Sequence, residues 1–223
     1  MQRFQNVVLI GTSHIAKQSL LEVQEVIESE KPEVVALELD KERFYGLMNK
    51  EKNKLQLRHI LRIGVKGFVF AKIGSYIEKK LGGKVGVNPG DEMMKAAEIA
   101  TKNGCKIALI DQKIDVTLKN FSRELTWKEK FRFLSDLIKG IFKKEERMMI
   151  DLSKVPEKNF IKEVLTKVKD RYPNFYKVLV SDRNKFMAVR LVKLMQDHSK
   201  IVAVVGAGHE DGLIEEIKLL IGK

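Results

Sequence analysis

Two histidines in this sequence each follow a glycine by three residues, in Gly11-Thr-Ser-His14 and in Gly206-Ala-Gly-His209. Each Gly-x-x-His closes an apolar run, Val7–Ile10 in the first case and Ile201–Val205 in the second. Such runs read as strands buried on both faces, like the inner strands of a parallel sheet. The glycine lets the chain turn sharply and presents the histidine at the sheet edge, where open α/β sheets bind ligands. Glu38 ends a third run, Val34-Val-Ala-Leu37, and should reach the same edge. Two imidazoles and a carboxylate form a common ligand set for a catalytic divalent ion that keeps one position open for water. The ion would lower the pKa of that water and polarise a carbonyl. Other roles stay open: the histidines can work as an acid–base pair without an ion, and Glu38 can cap a helix or pair with Arg43. The helical His-Glu-x-x-His motif is absent.

These residues need a sheet with short turns to hold them. A chain of 223 residues suggests one domain with a sub-domain inserted. Leu20, Val23, Val26 and Ile27 mark an amphipathic helix that Pro32 stops. Strand, helix and strand then form a βαβ unit, which predicts that the strands ending at His14 and Glu38 are parallel neighbours. Asp40 reads as a helix N-cap. Asn88 and Pro89 open a further helix, in which Glu92 shares a stripe with Ala96 and Ile99. Glu92 either complements the helix dipole or points a carboxylate into a cleft. Lys106–Asp111 is the third strand, and Lys200–Gly206 the fourth.

Between those last two strands the pattern is helical. Trp127, Phe131, Leu134, Ile138 and Ile141 recur at helical spacing and read as core packing. Phe160, Ile161, Val164, Leu165 and Val168 form a second stripe, and a third helix begins near Pro173. Arg183 falls within the apolar side of that third helix, one turn from Leu179 and from Met187. A guanidinium there needs a partner or a polar cavity, because an unpaired buried charge is very costly. The fold class expected is α/β: a mainly parallel central sheet flanked by helices, with an inserted helical sub-domain. The single domain spans 1–223, with a basic amphipathic insertion at 52–83 and the helical insertion at 119–197.

The formal net charge of +12 points to an anionic partner. Residues Lys52–Lys80 hold eight basic side chains against one acid, interleaved with apolar ones. That pattern suits either an anionic membrane surface or a core helix with a solvated basic face. Nucleic acid is disfavoured, since no nucleic-acid motif is present. The amino terminus runs straight into a strand without a leader pattern, and no stretch reaches the length of a bilayer span. Cys105 is the one cysteine, which rules out an intrachain disulfide; a cytoplasmic setting fits, peripheral to or anchored at a membrane in a longer protein.

Six blocks then fall in a telling order: GTSH at Gly11–His14, VVALELDKERF at Val34–Phe44, GDEMMKAAEIA at Gly90–Ala100, IDQKIDVTL at Ile110–Leu118, SDRNKFMA at Ser181–Ala188 and VVGAGH at Val204–His209. Over nearly its whole length the chain resembles the TraB/PrgY pheromone-shutdown family, which is similar in turn to Tiki metalloproteases, erythromycin esterases and ChaN-like proteins. The resemblance implies that His14, Glu38, Glu92, Arg183 and His209 line one pocket. By analogy with Tiki proteins, His14, His209 and Glu38 would hold a divalent metal, with manganese, cobalt or zinc as candidates. Arg183 would bind a substrate carboxylate or a developing oxyanion, and Glu38 would be ligand or general base. The implied activity is hydrolysis of a peptide or pheromone-like substrate; the alternative is a non-catalytic, peptide-binding regulatory module. Two departures stand out. The family's Asp-Arg-Asp is here Asp111-Gln112-Lys113, which removes any role for that arginine. Many relatives also continue into hydrophobic carboxyl-terminal segments, whereas this sequence stops at Lys223.

Overall fold

The computed structural model describes residues 1–12, 17–49, 90–142 and 158–222. His14, Asn88, Pro89 and the whole basic insertion at 52–83 lie outside the described residues. Five strands form one sheet: β1 (Gln2–Phe4), β2 (Val7–Thr12), β3 (Val34–Leu37), β4 (Lys106–Leu109) and β5 (Ile201–Gly206). Their order is β1-β2-β5-β3-β4. β1 is antiparallel to β2, and every other pair is parallel. The α/β class expected from the patterning therefore holds, with β1 added as a short antiparallel edge.

One expectation about topology needs correction. β2 and β3 are not neighbours, because β5 lies between them and pairs with both. Every residue of β5 is buried, so the strand needs partners along both edges. The βαβ unit β2–α1–β3 leaves that slot open. The consequence for the site survives the correction. All four parallel strands end at one edge, where Thr12 aligns with Gly206 and Leu37 with Val204 and Leu109.

Helices cover both faces. α1 (Lys17–Glu30), stopped before Pro32, puts Val23 and Ile27 on one face of the sheet. There they meet Met93, Ala96 and Ala100 of α3 (Asp91–Lys102). Asp40 caps α2 (Lys41–Met48) as expected, its Oδ1 accepting from the amides of Glu42 at 2.8 Å and Arg43 at 3.1 Å. Among the described residues no helix is long and apolar enough to cross a membrane.

Between β4 and β5 run α4 (Ile114–Glu124), α5 (Trp127–Phe142), α6 (Lys158–Arg171), the single turn α7 (Pro173–Tyr176), a π-helical turn (Lys177–Ser181) and α8 (Asp182–Asp197). α8 packs Met187, Ala188 and Leu191 on the second face of the sheet, beside Leu213 and Ile217 of α9 (Glu210–Ile221). Two residues of the apolar stripe read on α5 depart from expectation: Trp127 and Phe131 are exposed, with Lys130 above the indole, while the side chains of Leu134, Ile138 and Ile141 lie outside those described. Among the described side chains of α5, Glu129, Phe133 and Asp136 make tertiary contacts, at helical spacing on another face. Phe133 meets Tyr172 and Phe175, and Asp136 binds Arg171.

Glu129 ties this layer to the helix that carries Arg183. It closes a capping box with Thr126 and also caps α7 through the Asn174 amide at 2.8 Å. Burial works against its charge, but the bonds from Asn174 and Thr126 outweigh that and hold its pKa below the ordinary 4.5. A depressed folded pKa makes the stabilisation complete above the unfolded value and lost as pH falls through the folded one. Glu129→Gln should therefore lower the urea midpoint at neutral pH and flatten the loss of stability below pH 4.5, as a series of urea titrations across that range would show.

Candidate active site

The centre of the site is Arg183, in the first turn of α8 after the π-helical turn. π-helical turns interrupt the regular helix register and frequently mark functional positions. Here the interruption immediately precedes the arginine. Its guanidinium sits at the carboxyl edge of the sheet with all three nitrogens engaged. Asp111, just past β4, accepts two bonds, from Nε at 3.1 Å and from Nη2 at 2.7 Å. Nη2 also donates to Glu38 Oε1. Nη1 reaches the Leu179 carbonyl at 3.4 Å and His209 Nε2 at 3.1 Å. Arg43 adds a second cation 3.4 Å from Asp111. Burial disfavours the Arg183 charge, but the charges of Glu38 and Asp111 outweigh it and hold its pKa above the ordinary arginine value.

Glu38 follows β3 directly, and its amide still pairs with the Val204 carbonyl at 3.1 Å. The side chain is buried, and Oε2 accepts from the Gly206 amide at 2.6 Å. The glycine of the second Gly-x-x-His is thus a donor to the site, in addition to opening the turn. His209 occupies the N-cap position of α9, without a capping bond from its side chain, and is also buried. Its Nδ1 lies 2.7 Å from Asn184 Oδ1. Arginine only donates, so Nε2 accepts from Arg183 and Nδ1 carries the proton toward Asn184. His209 is then neutral, with its Nε2 lone pair turned into the site.

His209 Nε2 and Glu38 Oε1 lie 3.4 Å apart. Two ligands each about 2.1 Å from one tetrahedral ion have about that separation. The pair thus fits a divalent ion in donor type and spacing, although Arg183 now touches both atoms. Ion binding requires the guanidinium to release them while Asp111 keeps its two-bond hold. Among the described residues no cluster of three histidine, cysteine, aspartate or glutamate side chains is close enough to hold a metal. His14, the third donor expected, lies outside the described residues.

Of the residues read from the sequence, Glu38, Arg183 and His209 meet directly. Glu92 is buried in the first turn of α3, while the bonds of Arg183 run to Asp111, Glu38, Leu179 and His209. Arg43, considered as a partner for Glu38, pairs with Asp111 instead. Asp182 pairs with Lys177 rather than with its neighbour Arg183. Sequence reasoning passed over Asp111 and Asn184 as site residues. Asp111 carried a signal, an acid at a strand's carboxyl end; Asn184 carried none beyond its adjacency to Arg183. Cys105 precedes β4, and burial raises its thiol pKa, which suits a structural thiol rather than a nucleophile.

The TraB/PrgY/gumN family profile matches residues 3–218. An uncharacterized protein of Methanocaldococcus jannaschii is 40% identical over 220 residues, covering 96% of this chain and 54% of that protein. The human TraB domain-containing protein is 26% identical over 243 residues, covering 93% of this chain and 61% of that protein. The mouse TraB domain-containing protein is 25% identical with the same coverage. The chain thus spans between half and two thirds of the length of these curated relatives.

Breaking one side of a buried ion network costs more than the network contributes, because a charge is left without compensation. Asp111→Ala should destabilise the fold by about 3 kcal/mol in urea denaturation. The double variant Asp111→Ala with Arg183→Met should lose clearly less than the sum of the two singles, since the second change removes the stranded charge.

Proposed function

The chain belongs to the TraB/PrgY/gumN family, and from that premise and the geometry around Arg183 we propose that its strand-end site is a metal-dependent hydrolase centre acting on peptide bonds. The observation that carries this reading is the juxtaposition of a fixed guanidinium, a neutral imidazole and a buried carboxylate at one sheet edge. His209, Glu38 and His14 are the residues that would hold the ion, with manganese, cobalt or zinc as candidates. When bound, such an ion activates water and polarises a carbonyl.

The other steps belong to the chain itself. Asn184 holds the imidazole in one tautomer and orientation, as partners of metal-binding histidines commonly do. Asp111 keeps Arg183 anchored when Glu38 is engaged elsewhere. Once released from Glu38 and His209, Arg183 directs its Nη atoms toward a developing oxyanion or a substrate carboxylate while Asp111 holds it in place. Glu38 serves as ligand or general base, and Glu92 is the further carboxylate for proton transfer. The basic stretch Lys52–Lys80 is the proposed contact with an anionic membrane surface.

One observation favours a second reading, a non-catalytic module that binds a peptide. Both oxygens of Glu38 and all three nitrogens of Arg183 are already satisfied within the chain. Such a network can act as a rigid wall as well as a reaction centre.

Elemental analysis after incubation with each ion and desalting separates the two. The hydrolase reading expects near-stoichiometric metal in the wild type and its loss from His14→Ala and His209→Ala, with folding intact. It also expects metal-dependent cleavage in a peptide screen, reduced about a hundredfold or more by Arg183→Met. Absence of metal from the wild type, or its retention in both histidine variants, leaves the binding module.

A further inference from the structure

A cleft of about 600 Å³ opens beside the candidate site. Gly11, Asn184 and Gly208 line it. It therefore shares walls with the end of β2, with the turn before α9 and with the amide that holds His209. Ile161, Leu165 and Ile214 give it apolar surface. α6 contributes Lys158, Lys162 and Lys169, and α9 contributes Glu210, Asp211 and Glu215. The α6 wall is cationic, and the α9 wall is mainly anionic, with three acids against Lys218.

Glu210 is the buried carboxylate of that anionic wall, 5% exposed. Its Oε1 accepts from Lys158 Nζ at 2.8 Å and lies 3.2 Å from the α-ammonium of Met1. Its Oε2 lies over Gly11, where an added Cβ would come within 2.5 Å of it. The glycine of the first Gly-x-x-His therefore makes room for the residue that follows the second histidine. The Lys158 side chain is 54% exposed, so it can swing into water, whereas Glu210 is held inside. With Lys158 turned away, the buried carboxylate keeps the Met1 α-ammonium but loses the shorter of its two cation contacts, which is costly at a buried site. The group that can replace Lys158 is another ammonium.

We propose that this cleft is a peptide subsite and that Glu210 receives the free α-ammonium of a short peptide in place of Lys158. The peptide's side chains would lie on Ile161, Leu165 and Ile214, and its carboxylates would face Lys162 and Lys169. That the peptide is a substrate rests on the hydrolase reading; that it binds does not.

The test is calorimetric titration of the purified chain with tetra-alanine and with N-acetyl-tetra-alanine. A charge-assisted bond predicts that the free-amino peptide binds about tenfold or more tightly than the acetylated one. Glu210→Gln should erase that preference. Lys158→Ala, which removes one of the two ammoniums on Glu210 and leaves that of Met1, should tighten binding of the free-amino peptide. Equal affinities in the wild type, or no binding of either peptide at millimolar concentration, overturn the proposal. So does weaker binding in Lys158→Ala, which keeps the test decisive if Glu210→Gln fails to fold. Cleavage is scored separately. A preference in binding without any cleavage defeats the hydrolase reading and leaves the subsite; equal cleavage and equal binding of both peptides defeat the subsite and leave the hydrolase.

Discussion

The site depends on keeping one guanidinium charged at the edge of a hydrophobic layer. Arg183 sits beside Met187, Ala188 and Leu191, which pack the helix on the sheet. Desolvation alone would make its charge prohibitively costly. Asp111 and Glu38 remove that cost, and they can do so only from the carboxyl ends of neighbouring strands. The position of α8 along the sheet, the parallel register of β3 and β4, and the close of β5 are all tied to this one cation. A slip of one residue in either strand would turn its acid to the opposite face.

The same network sets the state of His209. An arginine at Nε2 and an amide oxygen at Nδ1 leave one arrangement of protons on a neutral ring. The imidazole is thereby prepared as an acceptor, the state in which it can take a proton or an ion. Its position follows from the turn: the His209 amide bonds back to the Gly206 carbonyl, and the His209 carbonyl starts α9 through the Leu213 amide. Helix start, strand end and imidazole orientation are consequences of the same few residues. The neighbouring cleft is built on the same elements, since Gly11 lies near the end of β2, Gly208 in the turn after β5 and Glu210 at the start of α9.

The stretches that became strands were legible because four short apolar runs, each bounded by turn residues, have few alternatives in a chain of this length. The second Gly-x-x-His turn and Glu38 were legible for the same reason: a polar residue closing an apolar strand stands out. Arg183 was conspicuous as a cation on an apolar stripe. The α5 stripe misled, because Trp127 and Phe131 have the spacing of a core face. The helix is instead anchored by Phe133, Asp136 and Glu129, whose mixed chemistry gives no hydrophobic signal.

The sequence by itself determined the four segments that pair in parallel, that apolar runs close on histidine and glutamate, and that Arg183 must find a partner or a polar cavity. These are local matters of apolar periodicity, turn chemistry and the cost of burying charge. The short edge strand β1 came only with the structure. The tertiary structure decided which acid that partner is, and it chose Asp111 and Glu38 rather than the adjacent Asp182. It also placed β5 between β2 and β3 and seated Glu210 over Gly11. Those outcomes join residues far apart in the chain, and sequence spacing does not encode which strand edges meet. They follow from β5 needing two partners to satisfy a fully buried strand, a requirement met only when the whole sheet assembles.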